Sequence, residues 1–250
     1  MDKFNVILFI MIGLFSAVYP ESCPEQCKCD KLEWNGENQN ITNEILSDIA
    51  NNGDPLTAKT LNLAGNNITY FPSREFISFT RLEELNLTQN HLTKVPKDLL
   101  NNIPSLLSII LHLNDLQELQ KGDFIGYDNI EELDLFKSNI DKIEPNTFQN
   151  LPKLTKLLAE SNNINVLEKG TLNGLNNVIW ITFKNNGLEI IEAGVFEATP
   201  KLERLWLEKN KLTSLPRDIF KSSKGLYMVN FKDNQFTDCL LYTSPSPRDS

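Results

Sequence analysis

The sequence predicts an α/β solenoid: a curved coil of eight stacked 24-residue turns with a parallel sheet on its concave face. Three observations predict it. First, LERLWLEKN (202–210) repeats LEELNLTQN (82–90) at an offset of 120 residues, which is five times 24. Second, stepping by 24 gives turns starting at Ala58, Leu82, Leu106, Ile130, Leu154, Val178, Leu202 and Leu226, with no insertion. A constant period of this length marks a repeat architecture. Third, the columns stay in phase. Counting each start as zero, +3 reads Leu61, Leu85, Ile109, Leu133, Leu157, Ile181, Leu205, Val229. Column +5 reads Leu63, Leu87, Leu111, Leu135, Ala159, Phe183, Leu207, Phe231. Column +8 is asparagine from Asn66 to Asn234 except at Ser138.

Each element follows from these columns. Positions +2 to +6 alternate at period two, a strand signal. One turn cannot bury its own leucines, but stacked turns share a continuous core. The +8 asparagine carries two donors and an acceptor on a short stem. It can therefore satisfy backbone groups of adjacent turns where the chain leaves the strand. Ser138 offers fewer bonds and less reach, so a local weak point of about 1 kcal/mol is expected there, the alternative being a tolerated substitution with water filling in. Bulk at +18 (Phe76, Leu100, Phe124, Phe148, Leu172, Phe196, Phe220) thickens the back of each turn and makes the strand side concave. Eight strands should span roughly 35–40 Å. The pattern resembles the leucine-rich repeat family in its extracellular form, L-x-x-L-x-L-x-x-N-x-L-x-x-L-P-x-x-x-F-x-x-L. The resemblance covers residues 58–238 and implies a leucine-rich-repeat solenoid that recognises a partner rather than an enzyme.

The N-terminus reads as an export signal over residues 1–20. Lys3 precedes an apolar run, and small residues Ser16 and Ala17 follow. The run is short for a membrane span, although an uncleaved anchor is the alternative. Cys23, Cys27 and Cys29 come directly after it. An oxidising compartment favours a disulfide. Zinc is the weaker alternative, because C-x3-C-x-C lacks a fourth ligand nearby. CPEQCKC resembles the N-terminal cysteine cap that precedes extracellular leucine-rich repeats, which places a cap over 21–57. That resemblance implies a Cys23–Cys29 disulfide. The family's fourth cap cysteine is missing, which leaves Cys27 without its partner. Ile41, Ile45 and Ile49 recur at four-residue spacing before Gly53 and Pro55, which reads as a short helix within the cap. At the other end, residues 239–250 fit no repeat. They can be back-translated into a sequence resembling a transposon-type sequencing adapter, so a non-native tail is expected there. A genuine C-terminal cap containing Cys239 is the alternative.

The outward columns +2, +4 and +6 form the concave face. Its first two turns are small and polar, and its later turns carry Ile110, Phe136, Leu158, Trp180, Trp206 and Met228 among charges that include Arg204. Trp180 and Trp206 fall on adjacent strands, two residues out of step, so their rings can meet. Apolar clusters rimmed by charge mark interaction sites, and Trp and Arg are enriched among hot spots. Aromatics also simply favour strands, which is the alternative. Sequons at Asn40, Asn67 and Asn86 predict glycosylation. Asn86 lies on the concave face, so a glycan there would push a partner toward the later turns.

Chemistry is not visible. Ser108 and His112 share a strand face but stand about 13 Å apart, too far for a nucleophile and its base. His112 and Asp134 are diagonal neighbours, expected to be too far apart for a direct orienting bond without bending. Glu132, Asp134 and Glu160 could hold a cation but read as a solvated patch. No catalytic residue, cofactor site or metal site is assigned. The net charge of −9 opposes nucleic acid as a partner. The expected function is an extracellular protein-binding module, a receptor ectodomain that takes a protein ligand or co-receptor. The alternative is a secreted matrix protein or the non-catalytic subunit of an extracellular complex. Membrane attachment is expected only if a C-terminus beyond this sequence carries an anchor.

Overall fold

The structure, a computed structural model, describes residues 28–29, 33–52, 58–97 and 99–237. The signal segment, Cys23, Cys27 and the tail lie outside the described residues. The architecture is the expected parallel-sheet solenoid of eight turns. The main sheet has ten strands. Two come from the segment before the repeats: β1 (Lys28–Cys29) and β2 (Glu33–Asn35), which pair antiparallel. Helix α1 (Asn43–Asn52) follows and buries Leu46 and Ile49 in the core, with Ile41 buried just ahead of it. Each repeat then gives one three-residue strand at +2 to +4. These are β3 (Thr60–Asn62), β4 (Glu84–Asn86), β5 (Ser108–Ile110), β7 (Glu132–Asp134), β9 (Lys156–Leu158), β11 (Trp180–Thr182), β13 (Arg204–Trp206) and β14 (Met228–Asn230). Every pair among them is parallel and in register at 24 residues, as in Thr60 opposite Glu84 and Arg204 opposite Met228. The back of the coil adds β6 (Glu118–Leu119) paired with β8 (Lys142–Ile143), and β10 (Val166–Leu167) paired with β12 (Ile190–Ile191). A one-turn helix, α2 (Leu99–Asn102), and a 3₁₀ turn (Val195–Ala198) complete it.

The core follows the columns. In the first seven turns every +3 and +5 side chain has no accessible surface. Ala159 and Phe183 sit side by side in the +5 row, a small residue next to a large one. Phenylalanines at +18 stack along the back: Phe124 on Phe148 at 5.7 Å, and Phe196 on Phe220 at 5.2 Å. Trp34 extends the +3 row one strand earlier, opposite Leu61, and meets Phe79 edge to face at 5.3 Å.

The asparagine column works as a ladder between turns. Asn114 donates to the carbonyls of Leu87 and Leu111, both at 2.9 Å, and its Oδ1 accepts the Leu92 N–H at 2.9 Å. Ser138 donates to Leu111 at 3.0 Å, which takes over one of these roles. Where an asparagine Oδ1 would accept the Leu116 N–H, the backbone carbonyl of Ser138 accepts it instead, at 2.9 Å. Two extra left-handed residues accompany that exchange, Asn139 (φ 55) and Gln117 (φ 56). The step is thus filled by the backbone at the cost of local conformation. In all eight turns the residue at +7 is left-handed, from Gly65 (φ 66) to Asp233 (φ 58), including Leu113 and Lys209. Each bends the chain off its strand into the ladder.

Candidate functional site: the concave aromatic face

The alternation that buries +3 and +5 turns +2, +4 and +6 outward over the concave sheet. Trp180 and Trp206 are brought together there. Their strands are in register with Trp180 opposite Arg204 and Thr182 opposite Trp206. The rings meet edge to face at 4.5 Å, with an interplanar angle of 67°. Both tryptophans, together with Ile110, Phe136 and Leu158, are half-buried, and Arg204 and Met228 are exposed. Arg204 Nε donates to the Tyr227 hydroxyl at 2.8 Å, which holds the guanidinium over the Tyr227 ring and raises its pKa. Two polar atoms beside the pair are buried without a partner: the Trp180 indole N–H and one carboxylate oxygen of Glu208.

Charges rim this patch in ordered rows. Along +6, Lys184 stands between Glu160 at 3.3 Å and Glu208 at 3.8 Å. Along +2, Lys156 meets Glu132 at 2.8 Å. His112 and Asp134 form a direct hydrogen bond, Nδ1 to Oδ2, at 2.9 Å. The bending that the spacing requires comes from the carboxylate, which leans across with its other oxygen accepting the Phe136 N–H at 2.9 Å. Among the described residues no serine, threonine or cysteine side chain hydrogen-bonds to the pair. Glu132, Asp134 and Glu160 each meet a basic side chain, and among the described residues no cluster of ligands could hold a metal ion.

The concave backbone has a pattern that the sequence reading missed. In five turns the +4 side chain caps the N–H at +6. Asn62 accepts from Ala64 at 3.1 Å, Asn86 from Thr88 at 3.0 Å and Asp134 from Phe136. Thr182 accepts from Lys184 at 3.2 Å and Asn230 from Lys232 at 3.0 Å. In the other three turns +4 is Ile110, Leu158 or Trp206, which have no oxygen to offer. Among the described residues no acceptor meets the N–H of His112, Glu160 or Glu208. The signal was present as an oxygen-bearing residue two positions ahead, a common local cap.

Of the sequons, Asn86 lies on β4 in the concave sheet, with its Oδ1 taken by Thr88. Asn40 and Asn67 are exposed, away from this face, and the Asn67 amide donates to the Asn40 side chain. Cys23, half of the expected disulfide, lies outside the described residues. Among the described residues no helix is long and apolar enough to cross a membrane.

Known proteins give the same architecture. The structure is similar to that of the TLR13–ssRNA13 complex, with a TM-score of 0.72 at 23% identity, covering 79% of this chain and 31% of that one. It is similar to the Toll–Spatzle complex of Drosophila, TM-score 0.63 at 20% identity, covering 78% of this chain and 28% of that one. It is also similar to internalin C2 of Listeria monocytogenes, TM-score 0.57 at 24% identity, covering 73% and 74% respectively. The chain therefore spans less than a third of the first two proteins, and at these identities the likeness is one of fold. No curated protein matches the sequence. The family model described as BspA type leucine rich repeat region matches residues 20–120, 54–169 and 93–227. Together these matches span most of the sequence, and the chain belongs to the BspA-type leucine-rich repeat family.

Proposed function

We propose that the chain is an extracellular, non-catalytic module that binds a protein partner through the concave face, as part of a receptor ectodomain. The observation that carries this reading is the Trp180–Trp206 pair. Two large rings stand on adjacent strands, outside the core, with exposed Arg204 and Met228 beside them. Ile110, Phe136 and Leu158 extend the same face toward the earlier turns. Half-buried aromatics set among charges have the composition of a recognition hot spot. The net charge of −9 favours a protein over a nucleic acid. One similar structure is titled as a complex with RNA and another as a receptor–ligand complex, so the scaffold is compatible with either class. A secreted matrix protein or a non-catalytic subunit would use the same face. The Cys23–Cys29 disulfide and glycans at Asn40, Asn67 and Asn86 belong to this reading as consequences of export.

The test is Trp206→Ala in affinity capture followed by titration of the captured partner. Because Trp206 sits outside the core, its loss should leave the melting temperature nearly unchanged. Affinity should fall at least tenfold, about 1.4 kcal/mol. Full affinity in a folded variant would refute the concave face as the site.

A further inference from the structure

We infer that the concave face is built to take a segment in the polyproline II conformation, lying along the solenoid axis across the strands. This rests on the concave face being the binding surface and specifies the partner's chemistry. The three uncapped N–H donors belong to His112, Glu160 and Glu208, in the third, fifth and seventh turns. Each is two residues beyond an apolar +4 residue: Ile110, Leu158 and Trp206. In the remaining turns a concave side chain reaches the equivalent N–H, so these donors are within reach of whatever lies on that face. Donors and apolar contacts therefore recur together at every second strand.

That spacing selects the occupant. Two strand separations come to about 9.6 Å. A polyproline II helix repeats every three residues, about 9.3 Å, and has no internal hydrogen bonds, so its carbonyls are free to accept. On a concave surface the outward groups converge, which brings the two repeats closer still. An α-helix has a pitch of about 5.4 Å and already uses its carbonyls internally. An extended strand repeats at about 6.8 Å and falls out of phase after one step. Charge narrows the choice further. Two of the three donors sit on residues whose own side chains are carboxylates, Glu160 and Glu208, so a phosphate or carboxylate acceptor is repelled and a neutral carbonyl is favoured. Proline rings commonly dock against aromatic surfaces such as the Trp180–Trp206 pair.

The experiment titrates the whole chain with dodecaproline, following tryptophan fluorescence and the amide resonances of His112, Glu160 and Glu208. A flexible glycine–serine peptide of equal length is the control. Dodecaproline should bind saturably and shift those three amides, and the control should do neither. Leu158→Asn places at +4 the residue that already caps its turn at Asn62, Asn86 and Asn230, so the variant should fold. It should cap Glu160 and weaken dodecaproline at least tenfold, whereas Leu158→Val should keep most of the binding. Absence of dodecaproline binding at millimolar concentration overturns the inference. So does equal binding of the flexible peptide, or unchanged affinity in Leu158→Asn. If Trp206→Ala abolishes capture of the natural partner while dodecaproline fails to bind, the concave face stands as the site and only the polyproline II assignment falls.

Discussion

Replacing Asn162 with alanine should cost far more than the same change at Asn90, although both are ladder asparagines with the same burial. The reason lies in what each leaves behind. Asn162 Oδ1 accepts two N–H groups, Ser138 at 2.9 Å and Ile140 at 3.1 Å. Its Nδ2 donates to Leu135 at 2.8 Å and Ala159 at 3.1 Å. The Ala159 carbonyl keeps a second donor, Asn186, at 3.0 Å. The Leu135 carbonyl has none, because the serine at 138 does not reach it. Three buried backbone groups are orphaned. At Asn90 both carbonyls keep another asparagine: Leu63 is held by Asn66 and Leu87 by Asn114, each at 2.9 Å. Only the Ile68 N–H loses its partner. At about 1.3 kcal/mol per unsatisfied buried group, Asn162→Ala should cost about 4 kcal/mol and Asn90→Ala about 1.3 kcal/mol. Those losses correspond to about 8–16 °C and 3–5 °C in melting temperature for a chain of this size. Urea unfolding of the two variants beside the parent measures the difference directly. Equal costs would show that the ladder bonds are not read correctly from their geometry.

Two further outcomes follow from the back of the coil. Gly174 has φ +98, and a Cβ there would lie 2.4 Å from Gln149 Cα and 2.5 Å from the Phe148 carbonyl oxygen. Both contacts are backbone, so Gly174→Ala should destabilise by about 3 kcal/mol or more in the same urea assay. Tyr127 is fully buried and donates its hydroxyl to the Pro96 carbonyl at 2.6 Å. Burial, with the Asp123 charge adding to it, holds its pKa well above the ordinary 10.0. The folded state therefore keeps this proton longer than the unfolded chain does. Its contribution is complete below the ordinary tyrosine pKa and shrinks as pH climbs past it toward the folded value. Tyr127→Phe should cost about 1–2 kcal/mol at neutral pH. It should also flatten the loss of stability between neutral and strongly alkaline pH, measured by urea unfolding across that range. A variant with the parent's alkaline slope would refute the assignment.

Much of the coil is legible in the sequence because its strongest constraints are periodic. Column +3 is aliphatic in every turn and column +8 offers an amide in every turn but that of Ser138, and both preferences recur at 24 residues whatever lies between. The placement of Trp206 beside Trp180 follows from strand register alone. Other features are not written as residue types. The left-handed +7 position is filled by Gly65 and Asn185 but also by Leu113 and Lys209, so the conformation comes from stacking rather than from local preference. Strand β2 was hidden because one strand in an irregular segment has no period, and Trp34 reads as a lone aromatic until it lines up with Leu61. The His112–Asp134 bond is not legible in spacing alone, because it depends on a side chain that leans. The caps at +4 were visible only as a scatter of Asn, Asp and Thr, and their meaning lies in the three turns that lack them.

The core and the concave face have different unit cells. The core repeats every 24 residues, so any turn can follow any other. The +4 positions from Asn86 onward repeat every 48, polar and apolar in alternation through to Asn230. Loss or gain of a single turn within that stretch would leave every leucine correctly stacked, yet it would place two like turns side by side and throw the face out of step on one side of the join. Loss or gain of two adjacent turns would preserve both lattices and change only the reach of the face. Duplication in pairs is therefore the change in length that such a surface tolerates, and relatives that keep its recognition should differ from it by even numbers of turns.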